Sequence, residues 1–269
     1  MVDFTKETIT VKGCKVSVQR GGTGEPMLYL HGGGVVNSVQ PFMELLGQDF
    51  DLIVPQHPGF GESEFPEWLE GMADMAFFYQ EFIGHLGLTD VHLVGTSIGG
   101  WMAASIAVRG TQNIKTLTLA APGGLDDPGI PKGEPFKWTA LETLRNVIYD
   151  QKLAEAIIAK LPPDPDTNPG MIKNRKTSKI LAGPDRRDPV MQKWLHLIKV
   201  PTHIIWGEHD KLMPVAYAAE FQKRIEGSTL EIFTECGHLP YTEKAADYAR
   251  SITDHVRKHA RIRSSLRGH

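Results

Sequence analysis

Residues 94–100 read VGTSIGG, a serine set among glycines between one apolar run and the next. A serine hydroxyl is a poor nucleophile until a base takes its proton and the attacking oxygen is held exposed. The pattern G-x-S-x-G meets the second need on a sharp strand-to-helix turn, where the flanking positions must be tiny to avoid collision. VHLVG (91–95) has the continuous apolar character of a buried strand, and IGGWMAASIAVR (98–109) has the pattern of a helix. Ser97 therefore falls at the joint, beside a helix N-terminus that favours developing negative charge. The expectation is a nucleophile rather than a structural turn.

The same grammar repeats on both sides. MLYL (27–30), DLIV (51–54), KTLTLA (115–120), THIIWG (202–207) and TLEIF (229–233) are short β-rich runs, most of them continuously apolar. Strands covered on both faces look like this. Helical patterns follow several of them, at Met72 to Leu86, Ile98 to Arg109, Val215 to Ile225 and Lys244 to His259. Alternating strand and helix predicts an α/β protein with a doubly wound, mainly parallel sheet. ETITV and CKVSVQR, alternating across KG, predict an antiparallel hairpin ahead of it. From about Pro122 to Leu197 the alternation stops. KWTALETLRNVIYDQKLAEAIIAKL and PVMQKWLHLIK read as helical, and PPDPDTNPG reads as a turn. The expected organisation is a core of residues 1–121 and 198–269 with a helical insertion, 122–197, roofing a pocket at the strand ends.

Bulk properties narrow the function classes. At 269 residues the chain suits one large α/β domain, and a formal charge of −3 offers no general attraction for nucleic acid. The opening MVDFTKETITVKGCKV lacks the order of a signal peptide, and no apolar run reaches membrane-spanning length, so the expected location is cytoplasmic. Cys14 and Cys236 carry no CxxC spacing and read as small buried hydrophobes. HExxH, Walker A and G-x-G-x-x-G patterns are absent, so neither a metal nor a cofactor is expected. The basic RKHARIRSSLRGH (257–269) reads as a frayed, solvated tail.

Attack on a carbonyl creates an oxyanion, which needs backbone donors aimed at it. YLHGGG (29–34) puts a glycine-rich loop, His31 to Gly34, directly after a strand; with the N–H of Ile98 it could form a two-donor hole. Gly32, Gly33 and Gly34 are thus candidates for the pocket floor. A base and its orienting acid should also lie beyond strand ends. His238 in TECGHLPYTE follows the last strand, and Asp210 in WGEHDKLMP follows the one before it. The chain order Ser97, Asp210, His238 matches one known triad arrangement, in which serine attacks, histidine relays the proton and aspartate fixes the imidazole. Glu208 and His209 compete with Asp210 by proximity. Ser63 in PGFGES has its glycines at the wrong offsets and reads as a polar loop residue.

Together these stretches resemble the α/β-hydrolase superfamily in its order: YLHGGG, DLIVPQHPGFGES, LVGTSIGG, VPTHIIWGEHDKLMP and CGHLPYTE. The resemblance implies Gly33 and Ile98 as oxyanion donors, the triad above, and a helical lid from about Pro122 to Leu197. Serine as nucleophile disfavours the epoxide hydrolases and haloalkane dehalogenases of this fold, which carry aspartate. HGGG is similar to meta-cleavage-product hydrolases, which split carbon–carbon bonds, but those usually continue with Pro-Gly, where Val35 and Val36 stand, and place Trp where Leu239 stands. GHLP looks like esterases, lactonases and cofactor-free perhydrolases. The expectation is an ester-type substrate of small or medium size, with carbon–carbon cleavage and a non-catalytic small-molecule sensor as alternatives and a homodimer left open.

The lid would choose the substrate. Trp138, Trp194 and Leu239 are apolar candidates for the pocket wall. MIKNRKTSK (171–179) with Arg186 and Arg187 is basic, which reads either as a solvated face or as recognition of a carboxylate-bearing substrate.

Overall fold

The computed structural model describes residues 2–34 and 37–266, and in it a single sheet organises the chain. Eight strands, β1 (Phe4–Val11), β2 (Cys14–Gly21), β3 (Glu25–Leu30), β4 (Phe50–Pro55), β5 (Val91–Thr96), β6 (Ile114–Ala120), β7 (Thr202–Gly207) and β8 (Thr229–Phe233), lie in the order β1-β2-β4-β3-β5-β6-β7-β8. The first two pairings, β1 with β2 and β2 with β4, are antiparallel; all others are parallel. Lys12 and Gly13 both take positive φ, 50° and 75°, the left-handed pair that a tight two-residue hairpin turn requires.

Alternation along the strands feeds two cores. Leu28, Leu30, Leu93, Ile204 and Trp206 face a cluster built with α2 (Met72–His85), α3 (Ile98–Arg109) and α8 (Ala216–Arg224). Met27, Tyr29, Val94 and Ile205 face the opposite cluster, with α1 (Pro41–Leu46) and α10 (Ala245–Leu266). Buried side chains such as Phe82 and Phe42 each contribute about 1.5–3 kcal/mol relative to exposure. The predicted doubly wound sheet is therefore present. Cys14 and Cys236 are both buried and free, as read. Among the described residues, no helix is long and apolar enough to cross a membrane.

Between β6 and β7 the described residues contain no strand of the sheet, only α4 (Ala140–Val147), α5 (Gln151–Ile158), α6 (Pro169–Ala182), α7 (Pro189–Trp194) and two short 3-10 turns. The chain enters and leaves the α4–α6 region side by side. Gly124 and Arg187 form a bridge, and the Asp188 N–H donates to the Gly124 carbonyl at 2.8 Å. The Asp188 carboxylate accepts from Trp101 Nε1 (3.1 Å), Ser105 Oγ (2.9 Å) and the Met191 N–H (2.8 Å), which fixes this neck on α3.

Several expectations are corrected here. The pattern from 137 to 161 is two helices, because Ile148 is extended and Asp150 caps α5 by accepting from the Lys152 and Leu153 amides. Residues 169–182, read as the end of a turn and a basic run, form α6. Asn168 caps it, accepting from Gly170 and Met171, and Pro169 starts it with φ already set for a helix. The tail is not frayed from residue 257: the α10 backbone continues through Leu266. Residues 267–269, and Val35 and Val36, lie outside the described residues.

Candidate active site

Ser97 stands between β5 and α3 with φ 55° and ψ −119°, a strained conformation for a residue with a side chain. The turn is held by the Ser97 N–H on Ala120 O (2.8 Å) and by Trp101 N–H on Ser97 O (2.9 Å). The flanking glycines are sterically obligatory. A Cβ on Gly99 would enter the Leu30 and His31 carbonyls, and one on Gly95 would strike the Gly99 backbone.

The loops after β7 and β8 bring the other two predicted side chains to this point. Ser97 Oγ lies 2.7 Å from His238 Nε2, and His238 Nδ1 lies 2.6 Å from Asp210 Oδ2. In the arrangement that satisfies both bonds, the hydroxyl donates to Nε2 and Nδ1–H donates to the carboxylate. The other Asp210 oxygen accepts from the Leu212 and Met213 amides, each at 2.8 Å, so the carboxylate is fixed from two sides. Asp210 and His238 are buried, where such hydrogen bonds are strong. Of the competitors, Glu208 and His209 are exposed and pair with each other at 3.5 Å. Ser63 is buried, donating to Gln56 O and accepting from the Ser17 N–H.

Above Ser97 opens a cavity of about 800 Å³. Gly32, Gly33 and Gly34 line its floor together with Ser97, Ile98, His238 and Leu239. A Cβ on Gly32 would lie 3.3 Å from that of Ser97, so the glycine loop runs directly beside the nucleophile position. Ile98 is the first residue of α3, where the N–H has no partner within the helix. An oxyanion formed on a carbonyl attacked by Ser97 would thus meet a helix start and a glycine turn. A proton can pass from Oγ to the imidazole, and the resulting charge is compensated by Asp210.

The stretch from residue 27 to residue 251 matches the alpha/beta hydrolase family. The chain belongs to that family. This alpha/beta hydrolase is similar, at 27% identity over 270 residues covering 90% of it and 91% of the relative, to 2-hydroxy-6-oxo-6-phenylhexa-2,4-dienoate hydrolase of Comamonas testosteroni. Its fold is shared with a meta-cleavage product hydrolase from Pseudomonas fluorescens IP01, with TM-score 0.81, 21% identity, and 94% and 97% of the two chains covered. It is also shared with an esterase from Exiguobacterium antarcticum, with TM-score 0.75, 22% identity, and 94% and 100% covered.

Two of the aromatic wall candidates fail. Trp138 does not line the cavity of this hydrolase: its ring covers Gly133, and Phe136 and Leu144 form the wall instead. Trp194 is more than one-third exposed, with the Lys193 ammonium 4.8 Å above its ring. Conversely, one face of α6, comprising Met171, Asn174, Arg175, Ser178 and Ala182, lines the cavity. These positions recur at helical spacing, a signal present in the sequence beneath the basic character. Within the basic run Arg175 therefore turns inward, its guanidinium donating to Phe136 O (2.8 Å) and Trp138 O (2.9 Å). Lys173 turns the other way and donates to Gly61 O and Ser63 O, while Thr177 Oγ1 donates to Gly59 O, and these bonds pin α6 over the core.

A buried relay beneath the glycine loop escaped sequence reasoning altogether. Tyr79 OH donates to His57 Nδ1 (2.5 Å), and His57 Nε2–H donates to His31 O (2.9 Å). The His57 N–H donates to His31 Nε2 (3.2 Å), leaving His31 Nδ1–H for Gly32 O (2.6 Å). The two bonds in which a ring nitrogen accepts, His57 Nδ1 from Tyr79 and His31 Nε2 from the His57 N–H, require neutral rings, and burial pushes His31 down to about 4; burial and then the neighbouring His31 push His57 well below its ordinary value. The relay stiffens the chain at the base of the loop on which oxyanion donors would sit.

Proposed function

We propose that this alpha/beta hydrolase is a serine hydrolase that cleaves a small or medium carboxylic ester through an acyl-enzyme. The observation that carries the reading is the unbroken series Ser97 Oγ, His238 Nε2, His238 Nδ1, Asp210 Oδ2, with contacts of 2.7 and 2.6 Å, opening on a largely apolar cavity. Ser97 Oγ attacks the ester carbonyl while His238 takes its proton, and the Gly33 and Ile98 amides hold the oxyanion. On collapse the alkoxide leaves with the proton from His238, and the acyl group stays on Ser97. Water, deprotonated by the same imidazole, then releases the acid and restores the serine. The helices between β6 and β7 serve as the lid that keeps bulk water from the intermediate. The apolar wall of Phe136, Leu144 and Met213 suits an acyl chain.

A second reading, carbon–carbon cleavage of a vinylogous diketo acid, is favoured by one observation. Arg175 and Arg186 line the cavity, with Lys132 paired to Asp126 at 2.8 Å, against two carboxylates, Glu62 and Asp166, and the Comamonas relative bears the name of a dienoate hydrolase. Leu239, at the position where such enzymes usually carry Trp, weighs on the ester side. The test is a parallel screen of p-nitrophenyl esters, lactones and a vinylogous diketo acid, with fluorophosphonate labelling of Ser97. Multiple turnovers on esters with none on the diketo acid support the first reading, and the reverse result replaces it with the second. Saturable binding with no more than one turnover on any substrate would mean a sensor.

A further inference from the structure

The loop that carries His238 does not stand alone. The His238 N–H donates to Val147 O at 2.7 Å, at the last residue of α4. Beside it one carboxylate, that of Glu243, spans two parts of the molecule. Its Oε1 accepts from the Gly237 N–H at 2.8 Å, and its Oε2 accepts from the Tyr149 and Asp150 amides at 2.7 and 3.2 Å. The approach is close enough that a Cβ on Gly237 would lie 2.6 Å from Val147 O and 2.9 Å from Tyr149 N. Tyr149, otherwise exposed, stacks its ring on His209 at 4.5 Å, next to Asp210.

Residues 147–150 are the joint where α4 breaks before α5; Ile148 still donates to Leu144 O, and the Tyr149 and Asp150 amides lie between the two helices. The Tyr149 and Asp150 amides are satisfied by the Glu243 side chain, which also holds the Gly237 amide, and the His238 amide is satisfied by the Val147 carbonyl. Each segment thus supplies hydrogen-bond partners to the other.

We propose that Glu243 is a positioning residue that couples the α4–α5 joint to His238, so that seating the joint and aiming the imidazole at Ser97 are one event. The inference rests on the reading of Ser97 and His238 as nucleophile and base. Geometry explains why a carboxylate is needed. The donors lie on both sides, one set facing each oxygen: the Gly237 N–H and the Cys236 thiol on Oε1, the two joint amides on Oε2. A glutamine can offer its oxygen to only one set and turns its own NH2 on the other. Glu243 touches no reacting atom and acts through the loop.

The experiment compares the wild-type protein with E243Q, E243A and E142Q, reading amide hydrogen exchange and the rate of Ser97 acylation by a fluorophosphonate. Glu142 caps α4 from the same roof by accepting from the Thr139 N–H and does not touch the His238 loop, so E142Q controls for general loosening. In E243A the amides of 149–150 and of 237–238 exchange faster together. Acylation slows by about tenfold or more, the factor expected when at least one of the charge-assisted hydrogen bonds lost in E243A serves to aim the loop. kcat for ester hydrolysis falls with KM little changed, and E243Q gives a smaller effect in the same direction. E142Q matches wild type in both readouts.

Faster exchange at 237–238 alone overturns the coupling, and so does unchanged acylation with both segments loosened. A wild-type Ser97 that resists the probe would defeat the functional reading instead; whether the two segments loosen together would still decide the coupling. A thermal melt of each variant separates these outcomes from global unfolding.

Discussion

Lowering the pH from 7 to 5 should destabilise this protein by several kcal/mol, well before its carboxylates titrate. Burial holds His31 down to about 4, and burial, then His203 and His259, hold His255 down to about 3. Both side chains are almost fully buried and lie in different parts of the molecule. In the unfolded chain each takes up a proton near pH 6.5, so the unfolded state binds more protons and stability falls with pH. The contribution is complete above pH 6.5 and is lost as pH falls toward the two folded values. Integrating the linkage from pH 7 to 5 gives about 2 kcal/mol for each ring, or about 4 kcal/mol together for distant sites. His57, His92 and His203, also pushed down chiefly by burial, act in the same direction. Against a typical total of about 5–15 kcal/mol, that is a large fraction. Urea denaturation at the two pH values measures it. His255→Phe, which removes one titrating ring, should lose about 2 kcal/mol less than wild type over the same interval. Unfolding free energies within about 1 kcal/mol of each other at pH 7 and 5 would refute the assignment of neutral buried rings.

Other outcomes follow from the site. Ser97→Ala should lower kcat for the best ester by on the order of 10⁴-fold with the fold intact by circular dichroism, because the three side chains act as a unit. Tyr79→Phe leaves the buried His57 Nδ1 without its donor and should cost about 1–3 kcal/mol in urea denaturation. Its kcat should fall while the Ser97–His238 geometry stays intact in a crystal structure. Leu239→Trp adds bulk at the cavity wall and should raise KM for long acyl esters by about tenfold more than for acetate, measured across a p-nitrophenyl series.

The sheet was legible because β3, β5 and β7 are buried on both faces, which forces continuous apolar runs whatever the rest of the chain does. Ser97, Asp210 and His238 were legible as candidates because each lies within a few residues of the C-terminal end of a strand, β5, β7 or β8, and parallel strands bring those ends to one edge. Legibility ends where contacts join segments that are distant in sequence. Nothing local in YDQK announces that the backbone at 149–150 leans on Glu243, nearly a hundred residues away. Tyr79, His57 and His31 are each ordinary until the fold stacks the two imidazoles at 3.8 Å. The helix at 169–182 is a different failure. Its asparagine cap and proline start were present, but the run of lysines and arginines masked the 3.6-residue spacing of the inward face. Trp138 misled through size: a large ring suggests a pocket wall, yet the turn before α4 directs it onto Gly133.

The pairing of Gly124 with Arg187 has a consequence for how such a chain can diversify. Both ends of the α4–α6 segment leave the scaffold through one bridge, anchored on α3 by Asp188, while α7 continues as the ordinary crossover into β7. Insertions, deletions or wholesale replacement between those two anchor points leave the strand register untouched. The lining of the cavity can therefore drift by exchange of a graft on a fixed stem, provided each graft keeps a carbonyl for the His238 amide and donors for Glu243.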